Sequence, residues 1–401
     1  MSINLRDTSQ AQISSLFRQK PHYELLDGLR GVAALLVIWY HFFEGFATSG
    51  VDQKFNHGYL AVDFFFVLSG FVIGYAYDDR WKMGLTKGGF ILRRLIRLQP
   101  MVVMAVCLGV ISFIIQGCEH WDHTIAPTWA IVMSFVFGLF MLPAFPGMDV
   151  DVRGNGEMFP LVGPAWSLFF EYIGSILYAV WLHRLTSKVL GIVVVLSGMG
   201  LGIVALTNMS GAYSLGVGWS MANLGFFGGL MRLGFSFGIG LLISRGFKPI
   251  KVKGAFWICS IAIAIMMCLP YITLTGEPSI LNAVYDLLCT WIVFPMVVFI
   301  GASGKTTDRH SKKICDFLGV ISYPIYIIHY PVMYLFYSWV WNNGYTFGDV
   351  WYVTVIIFLV LIPVAYFFVR FYDEPIRKWL TSKLKTKRES IGQLKTIGNN
   401  A

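Results

Sequence analysis

Apolar runs long enough to cross a lipid bilayer follow one another through almost the whole chain, and no other feature limits its fold so sharply. Eleven can be drawn, at residues 28–47, 58–77, 98–117, 128–142, 164–182, 189–207, 223–244, 254–274, 283–301, 318–341 and 350–371. A helix needs about 20 apolar residues to span the ~30 Å hydrocarbon layer, and most of these runs supply them. Strands of a membrane barrel would alternate apolar and polar residues over short stretches, which these runs do not. With 56% hydrophobic and only 13% charged residues, and a mean hydropathy of +0.64, the chain is far too apolar for a soluble domain. The expected fold class is all-α, a polytopic membrane helical bundle.

Charge orients the bundle. Basic residues cluster at Arg18/Lys20, Arg80 to Arg97, His183 to Lys188, Arg245 to Lys253, Lys305 to Lys313 and Arg377 to Arg388. All six clusters flank spans, so the positive-inside rule assigns them to the cytoplasm. Eleven crossings cannot leave both termini on one side, so one segment must not cross. Segment 128–142 is short, and the linker after it, FPGMDVDVRGNGEMFP, is acidic and turn-rich. It is expected to be re-entrant or interfacial. About ten crossing helices remain, with both termini cytoplasmic, in the inner (plasma) membrane. The flanking clusters account for the net charge of +9 without any role for nucleic acid. Cys107, Cys118, Cys259, Cys268, Cys289 and Cys315 show no CxxC spacing, so neither a disulfide framework nor a metal site is implied. Residues 1–23 read as a polar leader without a signal-peptide cleavage site, 24–382 as the transmembrane domain, and 383–401 as a basic cytoplasmic tail. Within the leader, SQAQISSLFRQK is either a short interfacial helix or a disordered arm.

Ionisable groups inside spans are costly and mark functional sites by default. In LLDGLRGVAALLVIWYH, Arg30 and His41 lie eleven residues apart, close to three helical turns. They share a face, about 16 Å apart along the axis. On the assigned topology Arg30 stands at the cytoplasmic rim and His41 near mid-membrane. Counting along the other spans brings Glu171 and His329 to the same layer, with Asp63 at its outer edge. An imidazole beside a carboxylate suits general-base work, because its unperturbed pKa lies near neutrality and the acid retains the imidazolium. Arg93, Arg94 and Arg97 flank the third span, and Arg94 and Arg97 share a face from which two guanidiniums can clasp a phosphate. In GPAWSLFFEYIG, Ser167 and Glu171 face one way, with Trp166 beside them; Ser69 occupies a small-residue site in LSGF.

In this order, LDGLRGVAALLVIWYH, VDFFFVLSGF, FILRRLIRLQP, PAWSLFFE, SYPIYIIHYP and DEPIRKW resemble the acyltransferase-3 family across about residues 24 to 380. The resemblance implies that 24–382 is a transmembrane acyltransferase domain. It implies acyl transfer from cytoplasmic acyl-CoA, usually acetyl-CoA, to a hydroxyl of a carbohydrate or glycolipid presented at the membrane. Acetyl-CoA is then a co-substrate, and no tightly bound cofactor is implied. Arg30, His41, Arg94 and Arg97 fall on the family's motif positions. With Arg93, the arginines would hold CoA phosphates. His41 would act as general base with Glu171 behind it, or else carry the acyl group transiently. Asp63, Ser69, Trp166, Ser167, Tyr323 and His329 are expected to support the site or line its acceptor side. The rival reading is a transporter or flippase with no chemistry of its own, which would also need polar groups at depth.

Overall fold

The computed structural model describes residues 22–274, 276–304 and 309–384. The leader, the tail beyond 384 and part of the basic cluster at 305–308 lie outside the described residues. Among those described, eight helices are long and apolar enough to cross a membrane: α1 (Glu24–Glu44), α2 (Gly58–Lys82), α3 (Lys87–Ile115), α6 (Ser187–Leu206), α7 (Gly225–Gly246), α9 (Leu281–Ser303), α10 (Arg309–Asn343) and α11 (Phe347–Leu384). Three shorter apolar helices complete the set, α4 (Thr128–Leu139), α5 (Ala165–Val180) and α8 (Ala255–Cys268). Each expected apolar run thus forms a helix, and the fold is a polytopic helical membrane bundle. One small antiparallel hairpin, β1 (Thr273–Leu274) with β2 (Glu277–Pro278), joins α8 to α9.

The contacts define two ends. At one, the Trp81 and His183 rings stack at 4.1 Å, Arg245 Nε donates to Asp78 at 2.9 Å, and Lys312 pairs with Glu24 at 3.1 Å. The described parts of the basic clusters gather there. At the opposite end, Trp341 Nε1 donates to the Gly45 carbonyl at 2.8 Å, and the His57 ring meets the Leu269 carbonyl at 2.8 Å. Outward faces are apolar at helical spacing, as at Ile192, Val195, Met199 and Ile203 on α6, all exposed. Exposure of this kind suits lipid, where the helix satisfies its own backbone and presents only hydrocarbon.

Helix α4 does not carry the chain from end to end. On its near side Trp121 donates its backbone N–H to the Arg153 carbonyl, which belongs to the linker on its far side, at 3.0 Å. Its inner tip is held by Gln99, whose side chain donates to the Leu139 carbonyl at 2.6 Å. The segment enters and returns at the end opposite the basic clusters, as a re-entrant helix would. The linker that follows also dips inward, so that Gly163 and Pro164 line an internal cavity and α5 begins at depth.

Close packing of α1 on α10 positions the polar residues. Gly28 lies against Cys315, where an added Cβ would come within 2.9 Å of the Cys315 Cα. Small residues let membrane helices approach backbone to backbone, which matters because water does not drive their association. That approach brings Arg30 onto Ser322 and His41 beside His329.

Candidate functional site

Two cavities lie along α1, one at Arg30 and one at His41 and Glu44. The first, about 80 Å³, is lined by Arg30, Ser69, Arg94, Arg97, Glu171, Ser322 and Tyr323 among others, and lies toward the basic end. Arg30 Nε donates to Ser322 Oγ at 2.9 Å, and its Nη2 pairs with Asp27 at 2.7 Å. Arg94 is buried; it donates to Ser175 at 3.3 Å and pairs closely with Glu171, which also accepts from Ser69 at 3.0 Å. Arg97 lines the same cavity and makes no hydrogen bond among the described residues. Tyr323 is fixed by a 2.6 Å bond to the Leu98 carbonyl. Arg97 thus offers free donor capacity to an anion, whereas Arg30 and Arg94 are each partly neutralised by a carboxylate, Asp27 and Glu171, and keep their remaining N–H groups for one.

The second cavity, about 240 Å³, lies toward the other end and is lined by His41, Glu44, Glu157 and ten aromatic residues, Trp121, Trp166, Trp219 and Trp341 among them. His41 occupies the last turn of α1. Its Nδ1 lies 2.7 Å from Glu44 Oε2, and the Tyr337 hydroxyl braces the pair, 2.7 Å from the His41 carbonyl and 3.0 Å from Glu44 Oε2. With Nδ1–H donated to a carboxylate, Nε2 keeps the lone pair needed to accept a proton. The His329 ring packs 5.3 Å from that of His41, and its Nε2 has no hydrogen-bond partner among the described residues.

The re-entrant linker closes the far wall. Glu157 is buried there, accepting from Tyr334 and, at 2.9 Å, from Asn155. Burial pushes its carboxyl up to about 7 despite those two bonds, which favour the charged form. Arg153 beside it is fully buried, donates to the Pro160 carbonyl at 2.8 Å, and lies 3.4 Å from the Tyr334 ring centroid. Burial holds its guanidinium below the ordinary value.

Several placements differ from the sequence-based expectation. Glu171 does not meet His41: it lies in the arginine cavity, and the carboxylate on His41 is Glu44. The reason is that α5 starts at depth rather than at the membrane surface, which moves Glu171 toward the basic end. Asp63 is fully buried and engaged by Arg232, with Nη2 to Oδ2 at 2.7 Å, so it faces no acceptor. Arg93 is exposed and lines neither cavity. Trp166 does line the His41 cavity, under the Arg232 guanidinium at 5.2 Å, and Ser167 bonds Tyr326 at 2.8 Å. Sequence reasoning overlooked Glu44, Arg232, Glu157 and Tyr326. The first two left a signal, an acid three residues after His41 on one helix face and a lone arginine inside an apolar run.

The family model for the acyltransferase domain, acyltransferase 3, matches residues 23–370. The chain belongs to this family. Protein 2 in the picA locus of Rhizobium radiobacter is 37% identical over 188 residues, covering 45% of this chain and 93% of that protein. O-acetyltransferase OatA of Staphylococcus aureus is 25% identical over 372 residues, 88% of this chain. The chain spans only 57% of the length of that staphylococcal relative. No solved structure matches the chain. The chain thus carries the acyltransferase domain of this family on apolar helices long enough to cross a membrane, and curated relatives of it are named O-acetyltransferases.

Proposed function

We propose that this acyltransferase moves an acetyl group from cytoplasmic acetyl-CoA to a hydroxyl of a carbohydrate or glycolipid acceptor at the other face of the inner membrane. The observation that carries this reading is the His41–Glu44 pair, set in a cavity that adjoins an arginine-lined one along the same helix. The basic end faces the cytosol by the positive-inside rule. Arg30 and Arg97 bind CoA phosphates at the rim, Arg94 supports them through Glu171, and the slender pantetheine arm enters the small first cavity. His41 Nε2 removes the acceptor's hydroxyl proton while Glu44 holds the imidazolium in place. The aromatic lining offers flat apolar faces to a sugar ring, and Glu157 accepts from its hydroxyls.

The test is release of free CoA from acetyl-CoA by inside-out membrane vesicles, which carry the native acceptor, together with mass spectrometry of the envelope glycans. The expected result is CoA release that His41→Ala abolishes while CoA binding survives. Vesicles that take up or translocate a glycan without consuming thioester would instead establish the transporter reading.

A further inference from the structure

Among the described residues, one side chain lines both cavities: Tyr326. It is 6% exposed, lies on α10 one turn before His329, and has the Phe65 ring packed edge-on against it at 5.3 Å. Its hydroxyl is 2.8 Å from Ser167 Oγ. Ser167 has a single hydroxyl hydrogen, and that is directed to the Pro164 carbonyl at 3.0 Å. With the Ser167 hydrogen on that carbonyl, the phenol donates to Ser167, which holds it in the wall; the 2.8 Å distance equally fits the reverse direction. The tyrosine and histidine rings follow each other across this wall, Tyr326 to His329 at 6.1 Å and His329 to His41 at 5.3 Å.

We propose that Tyr326 is a catalytic hydrogen-bond donor for the thioester carbonyl. The inference rests on the acyl-transfer reading above. A thioester that comes from the arginine cavity meets the acceptor of the His41 cavity only beside this phenol. Its O–H turns from Ser167 to the carbonyl oxygen. The acceptor oxygen bonds to the carbonyl carbon, the C=O electron pair moves onto oxygen where Tyr326 stabilises it, and His41 Nε2 takes the acceptor proton. Collapse re-forms the carbonyl and breaks the C–S bond, and the proton passes from His41 to the departing thiolate sulfur. Donors preset toward a developing oxyanion act most strongly where water is excluded, as in this buried wall.

Tyr326→Phe keeps the ring and removes only the donor. In the vesicle assay its maximal rate should fall about 100- to 1,000-fold, the loss usual for one oxyanion donor. The KM for acetyl-CoA, and calorimetric binding of CoA to the purified protein, should stay within about twofold, since the donor acts on the transition state. Ser167→Ala, which removes only the holding acceptor, should lose about tenfold in rate by loosened orientation. A Tyr326→Phe protein with full turnover overturns the proposal, and so does one that loses CoA binding together with turnover, which would mark a structural role. Wild-type vesicles that release no CoA would sink the acyl-transfer reading itself. Active vesicles with an indifferent Tyr326→Phe sink only the assignment of Tyr326.

Discussion

Replacing Glu157 with glutamine isolates what burial does to one carboxyl in the wall of the His41 cavity. Glu157 is 8% exposed, and its pKa is lifted from 4.5 to about 7. A rise of about 2.5 units corresponds to roughly 3 kcal/mol, at about 1.4 kcal/mol per unit. Between those two values the native state keeps a proton that the unfolded chain has released. Stability is therefore fully present below pH 4.5, declines as pH climbs to about 7, and is flat beyond. The amide of E157Q cannot ionise, yet it still offers an oxygen to the Tyr334 hydroxyl. Thermal unfolding in detergent micelles, followed by tryptophan fluorescence from about pH 3.5 to 8.5, should find the two proteins alike near pH 4 and already diverging at pH 5. At pH 8 the variant should be the more stable, by as much as roughly 3 kcal/mol. Parallel profiles for the two proteins would refute the reasoning, because they would mean that Glu157 ionises as freely in the native cavity as in the unfolded chain.

Glu44→Gln should lower the maximal rate roughly 100- to 10,000-fold while CoA binding persists, because it leaves His41 without its anionic partner. Glu171→Gln should instead change CoA affinity through Arg94, and a reversed pattern in steady-state kinetics and calorimetry would return the catalytic carboxylate to Glu171. Arg30→Ala and Arg97→Ala should each weaken CoA binding about tenfold, an effect that fades at high salt, whereas Arg93→Ala should bind as wild type does. Equal losses in all three would contradict the cavity lining. Asp63→Asn leaves the Arg232 charge buried without its partner and should cost about 3–5 kcal/mol, read as a lowered Tm. The double change of Asp63 and Arg232 to leucine should recover much of that loss, and a double variant as unstable as the single one would argue against charge burial as the cause.

The sequence determined the bundle, because a run of about 20 apolar residues has few stable arrangements other than a membrane helix. It also singled out 128–142 as the segment that differs from the rest, since its shortness and the parity of the basic clusters are visible without coordinates, and the helix there is indeed one of the shorter ones. That Arg94 and Arg97 share a face, and that His41 shares one with Arg30, follows from helical spacing within single segments, whereas the meeting of Arg30 with the other two in one cavity is a matter of packing. Partners across segments were a different matter. Depth was counted from assumed span ends, and the inward dip of residues 158–164 shifted α5, taking Glu171 from His41 to Arg94. Packing of α1 on α10 at Gly28 decided that His329 and Tyr337 stand beside His41, and the contact of α2 with α7 decided that Asp63 is spent on Arg232. The division into two cavities that meet at Tyr326 exists only in the tertiary structure. Spacing along a helix fixes which residues face together, but which helices touch, and at what height, depends on side-chain packing over the whole bundle.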